Sequence, residues 1–197
     1  MAGQLHDHDS RNVPSLRRSI ATGAVGFGLV SLCVFATVAF AERWMFQTLG
    51  ALGSYLTWIA LFIVLSGAVL GSLVVVRWRP PSFYILFALA FFSYAAAWML
   101  AYFGLGRTAG EFVGSLAGSV LMALVFAAGF RTLRSTPKLS AVLFVTNCLG
   151  YFLGAALYDY FRSPVGMLLF GVVYGLFFGA GIGAALQLVQ QQQTERR

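Results

Sequence analysis

Four polar side chains in the apolar part of the chain could contact a solute: one carboxamide and three carboxylates. Asn147 lies within a run of apolar residues, whereas Glu42, Glu111 and Asp159 lie at or near the ends of such runs. A carboxamide in hydrocarbon requires a hydrogen-bond partner. Asn147 therefore either bonds a neighbouring helix or contacts a bound or transported ligand.

The three carboxylates allow two interpretations. They could form a polar vestibule that attracts or gates a solute, or each could pair locally with an arginine. Pairs of opposite charge three or four residues apart add a few tenths of a kcal/mol to a helix. Each carboxylate has an arginine within four positions in the sequence, namely Arg43, Arg107 and Arg162. In both cases we expect the three carboxylates to lie at one membrane face.

The residues needed for most catalysis in a membrane are missing from the apolar runs. Both histidines and the single lysine lie outside them, which excludes histidine-ligated haem, a retinal Schiff base and a Ser–His nucleophile. An intramembrane aspartyl protease needs two neighbouring carboxylates, and Asp159 stands alone. Cys33 and Cys148 are isolated, and we interpret them as small apolar residues. We expect no enzyme activity, no catalytic residue, no cofactor and no metal site.

The composition explains why so few polar residues are available. Hydrophobic residues make up 59% of the 197-residue chain and charged residues only 10%, against about 25% in a typical soluble domain. Six uncharged runs each contain the ~20 apolar residues that a transmembrane helix needs. We predict an all-α, polytopic six-transmembrane-helix bundle in the lipid bilayer, with helices at about 19–41, 54–76, 82–104, 110–130, 139–159 and 165–188.

The basic residues predict an orientation. With both termini on one side of the membrane, ten of the thirteen basic residues fall on that side. Cytoplasmic loops are enriched in lysine and arginine, so both termini are predicted to be cytoplasmic, in a bacterial plasma or inner membrane. This topology accounts for the net charge of +7, and we expect no nucleic-acid partner.

The sequence gives weaker evidence on the structure of the two tails and on whether the first helix is a cleaved signal peptide. We expect residues 1–17 to be a disordered cytoplasmic tail, 18–189 the transmembrane domain and 190–197 a short cytoplasmic tail that continues the last helix into water. The alternation of histidine and aspartate at 6–9 could bind a metal, but without a second cluster we interpret it as solvated. Residues 39–41 (AFA) resemble a signal-peptidase site. The apolar run before them is longer than the 7–15 residues of a signal peptide, so we favour an uncleaved helix.

Glycines recur at every fourth position in several predicted helices. Small residues at this spacing let two helices approach closely in a bilayer, where the hydrophobic effect does not drive helices together. We predict glycine-zipper packing, with contacts between protomers and a hinge or pore lining as alternatives. In the last helix, we expect Gly171 to meet the fifth helix and Gly179 and Gly183 to meet the second, while Gly181 faces lipid. The glycines predicted to take part in helix packing are Gly171, Gly175, Gly179, Gly183, Gly110, Gly114, Gly118, Gly67, Gly71, Gly150 and Gly154.

Two further features remain open at the level of sequence. The first three helices could be repeated in inverted orientation by the last three, a 3+3 repeat found in transporters, although five matches in nineteen positions are close to chance. Most aromatic residues are expected to pack the bundle, with an aromatic-lined cavity as the alternative. The aromatic residues concerned include Trp58, Trp98, Tyr94, Tyr151 and Tyr174.

The absence of charge near the predicted midplane restricts the solute. Cation channels and proton pumps normally carry acidic residues there. We therefore expect a permease, channel or solute-binding membrane subunit for a neutral or apolar solute. The alternative is a non-transporting structural or assembly subunit, and either could act as a homo-oligomer or within a larger membrane complex.

Overall fold

A computed structural model describes residues 13–74 and 80–195. Within these ranges the chain is helical and contains no strand. The predictions for residues 1–12, including the histidine–aspartate stretch, and those for 75–79 and 196–197 lie outside the described residues. The elements are α1 (Leu16–Gly71), α2 (Pro80–Leu105), α3 (Arg107–Gly129), a 3₁₀ turn (Leu133–Ser135), α4 (Thr136–Phe161) and α5 (Pro164–Glu195).

All five long helices in the described ranges have the length and apolar composition to cross a membrane. This suggests an integral membrane protein with several spanning helices, as the composition predicted. The count of six separate helices is not confirmed. The two segments predicted at 19–41 and 54–76 both fall within α1, and the remaining four correspond to α2 to α5.

The backbone of α1 is interrupted at Gly50, where φ is 68° and ψ is 176°. A positive φ of this kind is readily adopted by glycine, which has no Cβ. On either side of the break, Gly26 lies against the side chain of Val69, and Trp58 Nε1 donates to Thr37 Oγ1 at 3.0 Å. In a straight helix residues 26 and 69 would be ~65 Å apart. The helix therefore folds back at Gly50 into a first arm (16–49) and a second arm (51–71).

The main contacts between the helices form a ring, and α3 also makes a smaller contact with α5. α1 packs against α5, α5 against α4, α4 against α3, α3 against α2 and α2 against α1. The breaks between elements alternate between the two ends of the bundle. Gly50, the α2–α3 link and the α4–α5 link lie at one end, which we call the Gly50 end. The end of α1, the start of α2 and the turn between α3 and α4 lie at the opposite end.

The glycines of α5 pack directly against the first arm of α1. A Cβ added to Gly175 would lie 2.8 Å from the Cα of Gly28, and one added to Gly179 would meet the carbonyl oxygen of Gly23. One added to Gly183 would meet the carbonyl oxygen of Ser19. These distances leave no room for a side chain, so the two backbones are in contact.

The partner helices differ from those expected. Gly179 and Gly183 meet the first arm of α1 rather than its second arm, and Gly171 meets Phe35 of the first arm rather than α4. Gly181 was expected to face lipid, but it is buried and a Cβ there would lie 2.9 Å from Thr146 Cβ. Helix α5 therefore has glycine on two of its faces, and these faces pack against two different helices, α1 and α4.

The other glycine patches lie against residues that are mostly aromatic, through backbone atoms as well as side chains. On α3, Gly110, Gly114 and Gly118 lie against Tyr102, Trp98 and Tyr94 of α2, respectively. In the remaining patches, Gly67 and Gly71 meet the rings of Tyr84 and Phe83, and Gly150 and Gly154 meet Tyr174 and Phe170 of α5. The glycines thus bring the aromatic residues of α2 and α5 close to the neighbouring helices.

Polar contacts hold part of the end of α5, although Gln191, Thr194 and Glu195 are exposed. Gln190 is buried, and its Nε2 donates to the carbonyl oxygens of Leu73 and Leu186 at 3.1 Å each. Ser135 Oγ donates to Gln192 Oε1. The predicted tail at 190–197 therefore begins inside a packed helix that continues to Glu195.

Replacing Gly179 by leucine should destabilise the protein. The side chain would be forced into a contact between two backbones, and overpacking costs about 1–3 kcal/mol, with roughly 2–4 °C of melting temperature for each kcal/mol. Thermal unfolding in detergent measures the change. The matched control is Gly104→Leu, because nothing lies within 4 Å of a Cβ added at Gly104. Equal melting temperatures for the two variants would contradict the contact.

Candidate functional site

A cavity of about 440 Å³ lies between the helices. Both arms of α1, together with α2, α4 and α5, contribute to its wall, and none of the residues that line it belongs to α3. Thirteen of the twenty lining residues are aromatic, against 16% of the whole chain. The aromatic lining residues are Phe35, Tyr55, Trp58, Phe62, Phe91, Tyr94, Trp98, Tyr102, Phe103, Tyr151, Tyr158, Phe170 and Tyr174.

The cavity runs inward from the Gly50 end. Along α2 its lining extends from Phe103, close to the end of the helix, to Phe91. Twelve residues of helix correspond to ~18 Å, which is more than half of the ~30 Å hydrocarbon thickness of a bilayer. The exposed side chains of Glu42 and Tyr158 line its mouth. The cavity therefore extends along about half of α2.

A hydrogen-bonded pair of side chains lies at the deep end of the cavity, away from its mouth. Tyr94, which lines it, donates from its hydroxyl to Asn147 Oδ1 at 2.6 Å. The hydroxyl oxygen of Tyr174 lies 3.5 Å from that of Tyr94. Asn147 is fully buried and is not among the lining residues. The interhelical bond predicted for Asn147 is therefore present, whereas direct contact with a ligand is not supported.

Phenylalanine rings close the cavity towards the opposite end of the bundle. Phe62 and Phe91 both line it, and their centroids are 5.4 Å apart. Behind them, Phe27 is 5.5 Å from Phe62 and 5.7 Å from Phe178. Phe27 and Phe178 are fully buried. This packed layer, together with the glycine contacts of α5, separates the cavity from the end that holds Gln190.

The side walls of the cavity are built from pairs of rings. Trp98 is stacked on Tyr102, with centroids 4.9 Å apart, and is 5.7 Å from Tyr151. On the second arm of α1, the rings of Tyr55 and Trp58 are 5.5 Å apart and nearly perpendicular. Offset-stacked and edge-to-face pairs are the favoured aromatic arrangements, so these walls are stable without a ligand.

The three predicted carboxylates differ in their surroundings, although all lie towards the Gly50 end. Glu42 lines the cavity. Glu111 is half-buried and is hydrogen-bonded to Tyr151. Asp159 is exposed and does not line the cavity. Its main-chain oxygen, rather than its carboxylate, accepts from Arg162 Nε at 3.1 Å. Only Glu42 is therefore a direct cavity residue, and Glu111 acts on the wall through Tyr151.

Sequence reasoning assigned most of the aromatic residues to packing, whereas many of them line the cavity. One signal was present in α2, where Phe91, Tyr94, Trp98 and Tyr102 recur at three- and four-residue spacing. That spacing places them on one helix face. The same spacing also describes an ordinary packed face, so the cavity could not be inferred from it.

Comparison of the chain with protein-family models, with curated proteins and with solved structures finds no match.

The hydrogen bond between Tyr94 and Asn147 should contribute measurably to stability. Tyr94→Phe and Asn147→Leu should each lower the free energy of unfolding by about 1–2 kcal/mol, since each leaves a buried polar group unpaired. Polar contacts of this kind are worth roughly 0.6 kcal/mol on average in membrane proteins. The double variant should therefore lose less than the sum of the two single variants. Tyr158→Phe, at an exposed tyrosine, is the control, and simple additivity would contradict the interaction.

Proposed function

We propose that this protein binds a neutral or apolar solute in the aromatic cavity and acts as a permease, a channel or a solute-binding membrane subunit. The observation that carries the proposal is the cavity itself. Ligand sites are mostly apolar clefts of about 300–1,000 Å³ with a few polar groups that fix orientation. Here the apolar lining is interrupted by tyrosine hydroxyls and by Glu42.

The driving force for such binding would be burial of apolar surface, worth about 25 cal/mol per Å². The rings are already packed against one another, so little reorganisation would oppose binding. The hydrogen bond to Asn147 fixes the orientation of Tyr94. Tyr94 and Tyr174 would then meet the inner end of the solute in a defined arrangement.

The closed inner half favours a gated permease or a solute-binding subunit over an open channel. A solute would have to pass Phe27 and Phe178, both fully buried, to reach the opposite end. Passage requires these rings, or the helices that carry them, to move. A binding subunit requires no such movement.

The proposed topology has six membrane crossings, with α1 crossing twice and both termini in the cytoplasm of a bacterial inner membrane. The reversal of α1 at Gly50 supports the double crossing. The excess of basic residues on the side of the termini supports the orientation. In this topology the mouth of the cavity faces away from the cytoplasm.

The alternative of a structural or assembly subunit has less support. An exposed glycine stripe would favour it, because such a stripe is a docking surface for another helix. The stripe on α5 is instead covered by the first arm of α1, with Gly175 and Gly179 both buried.

Filling the cavity should abolish solute binding. Ala95 lines the cavity, and Ala95→Phe should raise the dissociation constant for the neutral fluorophore N-phenyl-1-naphthylamine at least tenfold. Energy transfer from the tryptophans to the fluorophore, measured in maltoside micelles with empty micelles subtracted, reports binding. Ala156→Phe adds the same bulk at an exposed position of α4 and should change nothing. Equal binding by both variants, or no binding by the parent, would contradict the proposal.

A further inference from the structure

The charge and the aromatic content of the cavity narrow the class of solute. Of the twenty lining residues in the described part of the chain, one is charged, Glu42, and none is basic. The remaining residues that are not aromatic are aliphatic or methionine. A ligand in the cavity would thus meet aromatic rings on most sides and one negative charge at the mouth.

An aromatic ring carries a negative electrostatic potential on its face, so a cation within about 6 Å of a ring centroid is attracted to it. Tryptophan is the strongest such ring, and Trp58 and Trp98 lie on different walls. The rings of Tyr55 and Trp58 meet at 84°, so they form a corner rather than a flat platform. This arrangement can surround a compact cationic group.

The same features disfavour other charges. An anion would meet the negative faces of the rings and the Glu42 carboxylate, and no basic residue among the described lining residues would offset them. A strongly hydrated cation such as ammonium would lose most of its water to a lining that is largely aromatic and aliphatic carbon, which carries a high desolvation cost. A quaternary ammonium on an apolar body has no N–H to satisfy and a weakly held hydration shell.

We propose that the solute is an organic monocation with an apolar body, held in the cavity by cation–π contacts and by Glu42 at its mouth. This inference rests on the proposed function and narrows its apolar solutes to those that carry one positive charge, in place of the neutral ones. A zwitterionic phosphocholine headgroup is not included, because its phosphate would lie near the carboxylate of Glu42.

The test compares two probes of nearly equal shape that differ in charge, (3-hydroxyphenyl)trimethylammonium and its neutral isostere 3-tert-butylphenol. Each competes with N-phenyl-1-naphthylamine in maltoside micelles, which contain no ammonium group. The cation should displace the fluorophore at a concentration at least tenfold lower than the neutral isostere. Equal or tighter binding of the neutral isostere would overturn the inference, while fluorophore binding alone would leave the proposed function standing.

Two variants locate the charge effect. Glu42→Gln should reduce the preference for the cation at least threefold, with little effect on the neutral isostere. The matched control is Asp159→Asn, which removes one negative charge towards the same end from a residue that does not line the cavity. It should leave the preference unchanged. An equal loss in both variants would show a general surface-charge effect and would overturn the role of Glu42.

Discussion

The structure depends on the contact between the backbones of α1 and α5. In a bilayer, helices associate through van der Waals contact rather than the hydrophobic effect. Gly179 of α5 lies directly against Gly23 of α1, and Gly175 against Gly28. Towards the Gly50 end the small residues give way to Phe35 and Phe170, whose rings are 4.9 Å apart. The tightly packed glycine region therefore ends where the cavity begins.

The aromatic lining is held from behind as well as by its own ring contacts. Gly114 and Gly118 of α3 let that helix pack closely behind Trp98 and Tyr94. Asn147 of α4 then fixes the hydroxyl of Tyr94. α3 thus supports the cavity without contributing to its surface. The glycines of α5 close the half of the bundle opposite the Gly50 end, whereas the glycines of α3 support the cavity wall towards the Gly50 end.

The apolar, helical character of the chain could be predicted from the sequence, because it follows from local composition. The glycine zipper stays a prediction, although several of its glycines lie in close contacts. The interhelical bond of Asn147 followed from the cost of an unpaired carboxamide. The helix that each glycine contacts could not be predicted, since spacing identifies a face but not its partner. Gly181 and Gln190 illustrate this, because tertiary contacts bury them where the sequence indicated lipid or water. The inverted repeat stays a prediction.

The central claim is that a cavity reaches the middle of the bundle from the Gly50 end and is closed beyond it; in the proposed topology that end faces away from the cytoplasm. The direct measurement is cysteine labelling in intact cells, in a background where Cys33 and Cys148 are replaced by alanine. A membrane-impermeant maleimide applied outside should label Ala95→Cys in the cavity wall. It should not label Ala90→Cys, which is fully buried on the same helix. Labelling of Ala95→Cys only in inverted vesicles, or equal labelling at both positions, would contradict the account.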